Sequence, residues 1–192
     1  MLRKRRKRSS PWRIVGLLVL VAGAIYVNQV IVPVTPPLFI PTPTPTRSPE
    51  SFINEAEALF ADGKLSQAID AYQQAVLSEP DNPSNYVNLA RIQILAGRYE
   101  DALENAEMAL LQNPDNPLAH SMRAWALDFQ ADYLGAEAAI KRALELDSNS
   151  AIAHAIYSEI LVDTGDYEKA VEESRIAVNL GPEILEVHRA RG

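Results

Sequence analysis

The stretch PDNP, Pro80-Asp81-Asn82-Pro83, returns 34 residues later as Pro114-Asp115-Asn116-Pro117. The surrounding residues return with it. Ala68 is followed at the same step by Ala102, Ala136 and Ala170, and Ala75 by Ala109, Ala143 and Ala177. A third series, Ala56, Ala90, Ala124 and Ser158, holds only small side chains, and Gly63, Gly97, Ala131 and Gly165 mark a recurrent turn. A fixed period of this length is the mark of a repeat architecture, which has to be read before any other feature.

Within each unit the apolar spacing is helical, as in Phe52, Ala56, Leu59 and Phe60, and again in Ala68, Ile69, Tyr72, Ala75 and Val76. Two helices therefore fill each unit. Pro80 and Pro114 stop one helix, and the Asn-Pro pairs at 82–83 and 116–117 supply an N-cap and a first-turn proline for the next. The predicted helices run near 49–61 and 65–78, 83–96 and 99–112, 117–130 and 133–146, 151–164 and 167–180, with another starting at about Glu183. Alanine at the recurrent positions lets helices approach to the roughly 8–10 Å at which ridges pack into grooves. A stack of such pairs buries its apolar faces only against neighbouring pairs and curves into a superhelix with a concave side. Ile184, Leu185 and Val187 would then lie on an uncapped end, covered by a partner, a second copy or further chain.

The small residues at Ala56, Ala90, Ala124 and Ser158, the turns Gly97-Arg98-Tyr99 and Gly165-Asp166-Tyr167, the two alanine series and the junction prolines together resemble the tetratricopeptide repeat family over residues 49–192. Gln93, Leu65 and Ala131 depart from the family pattern. The expected fold is thus all-α, an α-solenoid of antiparallel helix pairs in 34-residue repeats, preceded by one transmembrane helix and a proline-rich linker. The units are 49–82, 83–116, 117–150 and 151–184, with a partial unit at 185–192 inside a repeat domain of 50–192.

The N-terminal quarter belongs to a different environment. Residues 1–13 carry seven Lys/Arg and no acid, whereas 48–192 carry ten Lys/Arg against all 25 Asp/Glu. From Ile14 to Val32 the chain is apolar except for Asn28 and Gln29. Nineteen residues at about 1.5 Å each reach roughly 28 Å, close to the hydrocarbon core of a bilayer. The basic tail 1–13 is expected in the cytoplasm, the signal-anchor helix at 14–32, and everything after it outside the cytoplasm, periplasmic or extracellular. Ala22-Gly23-Ala24 also offers a small-residue cleavage site of the signal-peptide kind, against which the apolar continuation past Ala24 argues for an uncleaved anchor. Residues 33–49 hold seven of the thirteen prolines and no glycine, a composition that makes a semi-rigid spacer.

The sequence offers little chemistry. With no cysteine, disulfides, thiolate nucleophiles and cysteine metal sites are excluded. No nucleophile-base pair or phosphate-cradling loop stands out, so no enzyme and no cofactor are expected. His120, His154 and His188 share the 34-residue step, but equivalent sites in successive units lie too far apart for one ion, and the three read as packing residues. The acidic repeats argue against nucleic acid as a partner.

In the family the first helix of each unit lines the concave groove. The resemblance therefore nominates Asn88, Arg91, Leu95, Met122, Trp125, Phe129, Ile156 and Glu159 as groove residues, with Trp125 as the principal anchor. Of the clamp by which some members hold acidic chaperone C-termini only Asn88 is present; Ile53, Glu57, Leu118 and Met122 stand at the other places, so that ligand class is not expected. An apolar groove suits an amphipathic helix or extended apolar peptide. The expected function is a membrane-anchored protein-interaction scaffold, with a targeting region for an enzyme beyond residue 192, or a self-assembling homo-oligomeric module, as the alternatives.

Overall fold

A computed structural model describes residues 11–31 and 47–191. It falls into two compact units, divided between Thr46 and Arg47. Most of the basic tail and most of the proline-rich spacer lie outside the described residues.

In the first unit, α1 (Pro11–Tyr26) continues through a wider π-helical turn, Val27–Ile31. Residues 11–29 are long and apolar enough to cross a membrane, and none of them is buried by the rest of the chain. Asn28 and Gln29, the polar interruption in the apolar run, fall in that turn.

The second unit is a succession of helix pairs: α2 (Pro49–Ala61) with α3 (Leu65–Ser78), α4 (Pro83–Leu95) with α5 (Tyr99–Gln112), α6 (Pro117–Phe129) with α7 (Tyr133–Leu146), and α8 (Ala151–Asp163) with α9 (Tyr167–Leu180). Among the described residues there is no strand. The solenoid read from the period is present. The punctuation works as the sequence implies. The Asn82 side chain accepts from the Ser84 amide and Asn116 from those of Leu118 and Ala119, each before a proline in the first turn. Where the third junction has lost its prolines, Ser150 caps α8 through the Ala153 amide.

The alanines sit where helices cross. Ala68, Ala75, Ala102, Ala109, Ala136, Ala143 and Ala177 are nearly or wholly inaccessible, and Ala90 and Ala124 fill the facing helices. Any larger side chain would force the pair apart. Curvature follows from the neighbours each helix keeps. α4 packs on α6 and α6 on α8, while the second helices of successive pairs do not come together to that extent. The first helices α4, α6 and α8 therefore form the inner, concave wall.

Each pair turns through a left-handed residue: Gly63, Gly97, Gly165 and, in the third, Ala131 at φ 61°. For alanine this conformation costs roughly 1–2 kcal/mol. Ala131→Gly is expected to raise stability by about 1 kcal/mol or somewhat less, because glycine gains freedom in the unfolded chain. Chemical denaturation of the two proteins in the same detergent measures the difference.

The end of the array departs from expectation. A short helix, α10 (Leu185–Arg191), follows Gly181-Pro182, and its Val187 is buried against Ala151, Ala155 and Ala177. Val187 is thus not on an open face, whereas Leu185 stays exposed as expected, and further uncovered apolar surface of the last pair lies at Val162, Tyr167 and Val171.

Candidate functional site

The inner wall carries one row of equivalent positions at the 34-residue step: Arg91 on α4, Trp125 on α6 and Glu159 on α8. Trp125 and Glu159 are joined directly, the indole Nε1 donating to the Glu159 carboxylate at 2.9 Å. Phe129, one turn along α6, lies 6.3 Å from Trp125 between ring centres and stacks on Tyr99 at 4.4 Å.

This row is not open. α10 lies across it. The Glu186 carboxylate accepts two hydrogen bonds from the Arg91 guanidinium, 2.5 Å from Nε and 2.9 Å from a terminal nitrogen, between residues 95 positions apart. Only 1% of the Glu186 side chain is exposed, against 29% for Arg91. Three residues on, the Arg189 guanidinium stands 4.7 Å from the Trp125 ring centre and 5.7 Å from that of Phe129, and reaches Glu159 at 3.4 Å. Arg91 is itself 5.8 Å from the ring of Phe60. Acid meets base at one end of α10, and base meets an aromatic-acid pair at the other.

The nominated groove residues divide accordingly. Asn88, Arg91, Leu95 and Glu159 are half-buried on the wall, and Phe129 is 40% exposed. Met122 and Ile156 are buried in the continuous core between pairs and present no surface for a ligand. Trp125 is fully buried: its body belongs to that core, and Arg189 covers its ring. As an anchor, Trp125 meets the chain's own helix.

Beside this contact lies a carboxylate cluster. Asp128 is buried and its Oδ1 has no hydrogen-bond partner. Burial, then the charges of Asp163 and Glu159 and a hydrogen bond with Asp163, push its pKa up to about 7. Burial likewise raises Glu159, against the pull of Arg189 and the Trp125 N–H. An acid whose folded pKa lies above its unfolded value of about 4 holds its proton longer when folded, so its contribution is present at low pH and lost as pH rises through about 7. The array is expected to be more stable at pH 5 than at pH 8 by about 1–2 kcal/mol from Asp128 after solvent screening. Asp128→Asn should remove most of that slope, which thermal melts across the range would show.

Two of the three histidines hold loops, while His188 is exposed on α10. His120 Nε2 donates to the Pro114 carbonyl at 2.9 Å, and His154 Nε2 to the Ser148 carbonyl at 3.0 Å, each tying a first helix to the junction before it. Among the described residues no group of His, Asp and Glu has the spacing of a metal site.

Comparison with known proteins agrees with this architecture. Family models described as tetratricopeptide repeat match residues 59–126 and 121–183. The chain is similar to the TPR domain of Sgt2 from Aspergillus fumigatus at 30% identity, over 67% of this chain and 84% of that one, with a TM-score of 0.57. It shares its fold with a thermophilic TPR protein of Thermus thermophilus, at 20% identity over 74% and 79% of the two chains and a TM-score of 0.66. It also shares its fold with the first TPR of Spaghetti (RPAP3), a structure bound to the HSP90 peptide SRMEEVD, at 22% identity over 65% and 90% and a TM-score of 0.53. No curated protein sequence matches the chain.

Proposed function

Because the chain belongs to the tetratricopeptide repeat family, we propose that it is an interaction scaffold, anchored in a membrane by residues 14–32, which takes a segment of another protein in the groove formed by α4, α6 and α8. The observation that carries this reading is α10 itself. The groove holds a polypeptide helix through a bidentate ion pair and a cation over aromatic rings, contacts of the kind that fix protein segments. The Spaghetti domain, of the same fold, is recorded with a bound peptide. The clamp by which some family members hold an acidic C-terminus is represented here by Asn88 alone. The ligand of this groove therefore has other chemistry.

The basic tail ahead of the apolar helix argues for an N-terminus in the cytoplasm and repeats outside it, held away from the bilayer by the proline-rich spacer. The role is non-enzymatic: capture and positioning near a membrane surface. A second reading, self-association, is favoured by the exposed apolar strip at Val162, Tyr167 and Val171 on the last pair. Sedimentation of Val171→Glu beside the wild type tests it.

For the principal reading, a photo-crosslinking amino acid is placed at Asn88 or Phe129 of the full chain in membranes of its native host, with a matched probe at Glu104 on the outer helix α5. A discrete protein crosslinked from the inner positions and absent from the outer one supports the groove. Equal products from both positions, or none, contradict it.

A further inference from the structure

α10 is in sequence register with the first helices of the array: Leu185 follows Ala151 by 34 residues, as Ala151 follows Pro117. Stacked as the start of a fifth pair, α10 would place Arg189 at the position held by Ala155 and Ser121, both fully buried. In the earlier pairs that place takes a small or apolar side chain, Val87, Ser121 or Ala155, and never a charge. Rotated into the groove, the same helix gives Glu186 to Arg91 and Arg189 to Trp125, Phe129 and Glu159, while Val187 keeps an apolar seat on Ala155 and Ala177. The charges of α10 match the wall, not the stack.

Resting on the groove reading above, we propose that α10 is an internal stand-in for the groove's ligand. The partner segment is a helix with a carboxylate at one position, a small branched apolar residue next to it and an arginine or lysine three positions after the carboxylate. It binds by displacing α10. The wall dictates each requirement. Arg91 offers a fork that the Glu186 carboxylate fills with both oxygens. The aromatic face of Trp125 beside the Glu159 carboxylate is a seat for a cation. Reversing the two charges would set cation against Arg91 and acid against Glu159, so the wall also fixes the direction in which the helix lies.

The test uses a labelled peptide of residues 181–192, GPEILEVHRARG, titrated by fluorescence anisotropy into the full chain in detergent micelles. The proteins are the wild type, Glu186→Gln/Arg189→Gln, whose own α10 is released, and that double variant with Arg91→Glu. Circular dichroism establishes that all three keep their helices. Binding to the released variant should be about 10-fold or more tighter than to the wild type, whose groove is free only for the fraction of time that α10 is away. It should be lost in Arg91→Glu and recovered there by a peptide carrying Glu186→Lys.

A peptide with both charges reversed, Glu186→Lys and Arg189→Glu, that binds the released variant as well as the native sequence would overturn the proposed ligand chemistry while leaving the groove as a binding surface. Equal binding of the native peptide to wild type and released variant would overturn displacement. No binding to either, with crosslinks still forming at Asn88 or Phe129, would overturn this inference alone; loss of the crosslinks as well would remove the groove reading beneath it. A wild-type dimer in sedimentation, abolished by Glu186→Gln/Arg189→Gln, would make a second copy's α10 the occupant and overturn a foreign partner.

Discussion

Trp125→Ala is expected to destabilise the repeat array by about 3–5 kcal/mol, the range for emptying a fully buried indole site. Trp125 has no exposed surface and belongs to the core shared by α4, α6 and α8, so truncation leaves a cavity in the middle of the stack. It also removes the N–H that Glu159 accepts and the ring beneath Arg189. Domains of this size are stable by only about 5–15 kcal/mol in total, so this loss is a large share. Phe129→Ala should cost distinctly less, because that ring is 40% exposed and its main partner is Tyr99. Urea unfolding of the three proteins in one detergent compares them. A Trp125→Ala cost no greater than that of Phe129→Ala would mean that the indole is not a core residue.

Arg91→Ala has an effect as large but differently distributed. It leaves the Glu186 carboxylate without its cation at a place where water does not reach. Breaking a buried pair from one side costs about 3–5 kcal/mol, here toward the lower end because Arg91 is partly exposed. The principal apolar contribution holding α10 is Val187, worth about 1.5–3 kcal/mol for a fully buried side chain. The charge outweighs the contact, so the seven residues of α10 are expected to leave the groove while the eight helices of the pairs remain folded. Hydrogen exchange would show protection lost over 185–191 and kept over 151–163. Arg91→Lys should release α10 in part, since a lysine keeps the charge but not the fork. Uniform loss of protection across α8 and α10 would contradict this local account.

Much of this architecture is legible in the sequence, and the limits of that reading are physical. The alanine series and the Asn-Pro caps locate the helices to within about one residue of the observed ends, because caps and close crossings are local demands repeated four times. Family resemblance nominates Arg91, Trp125 and Glu159 as groove residues, and in the structure they form one row at the 34-residue step, with Trp125 fully buried. It nominates Met122 and Ile156 too, yet their faces turn into the core between pairs: a helical period gives the buried side of a helix but does not separate its groove edge from its inter-unit edge. The end of the array differs from expectation for another reason. Glu186 meets Arg91 across 95 residues, and no periodic pattern encodes a pairing at that distance. The available clue is Arg189 at a position that elsewhere holds Ala155 and Ser121. The carboxylate of Asp128 is equally hidden, since its raised pKa arises from burial and from Asp163 and Glu159 beside it.

The position of α10 carries both the groove reading and the ligand it implies. It is measured most directly by pulsed electron–electron resonance between spin labels at His188→Cys on α10 and Glu104→Cys on α5, in a chain with no cysteine of its own. A narrow distance distribution in the wild-type background, replaced by a broad one in Arg91→Ala, is the predicted result. A broad distribution already present with Arg91 intact, or a narrow one that Arg91→Ala leaves unchanged, would contradict the account.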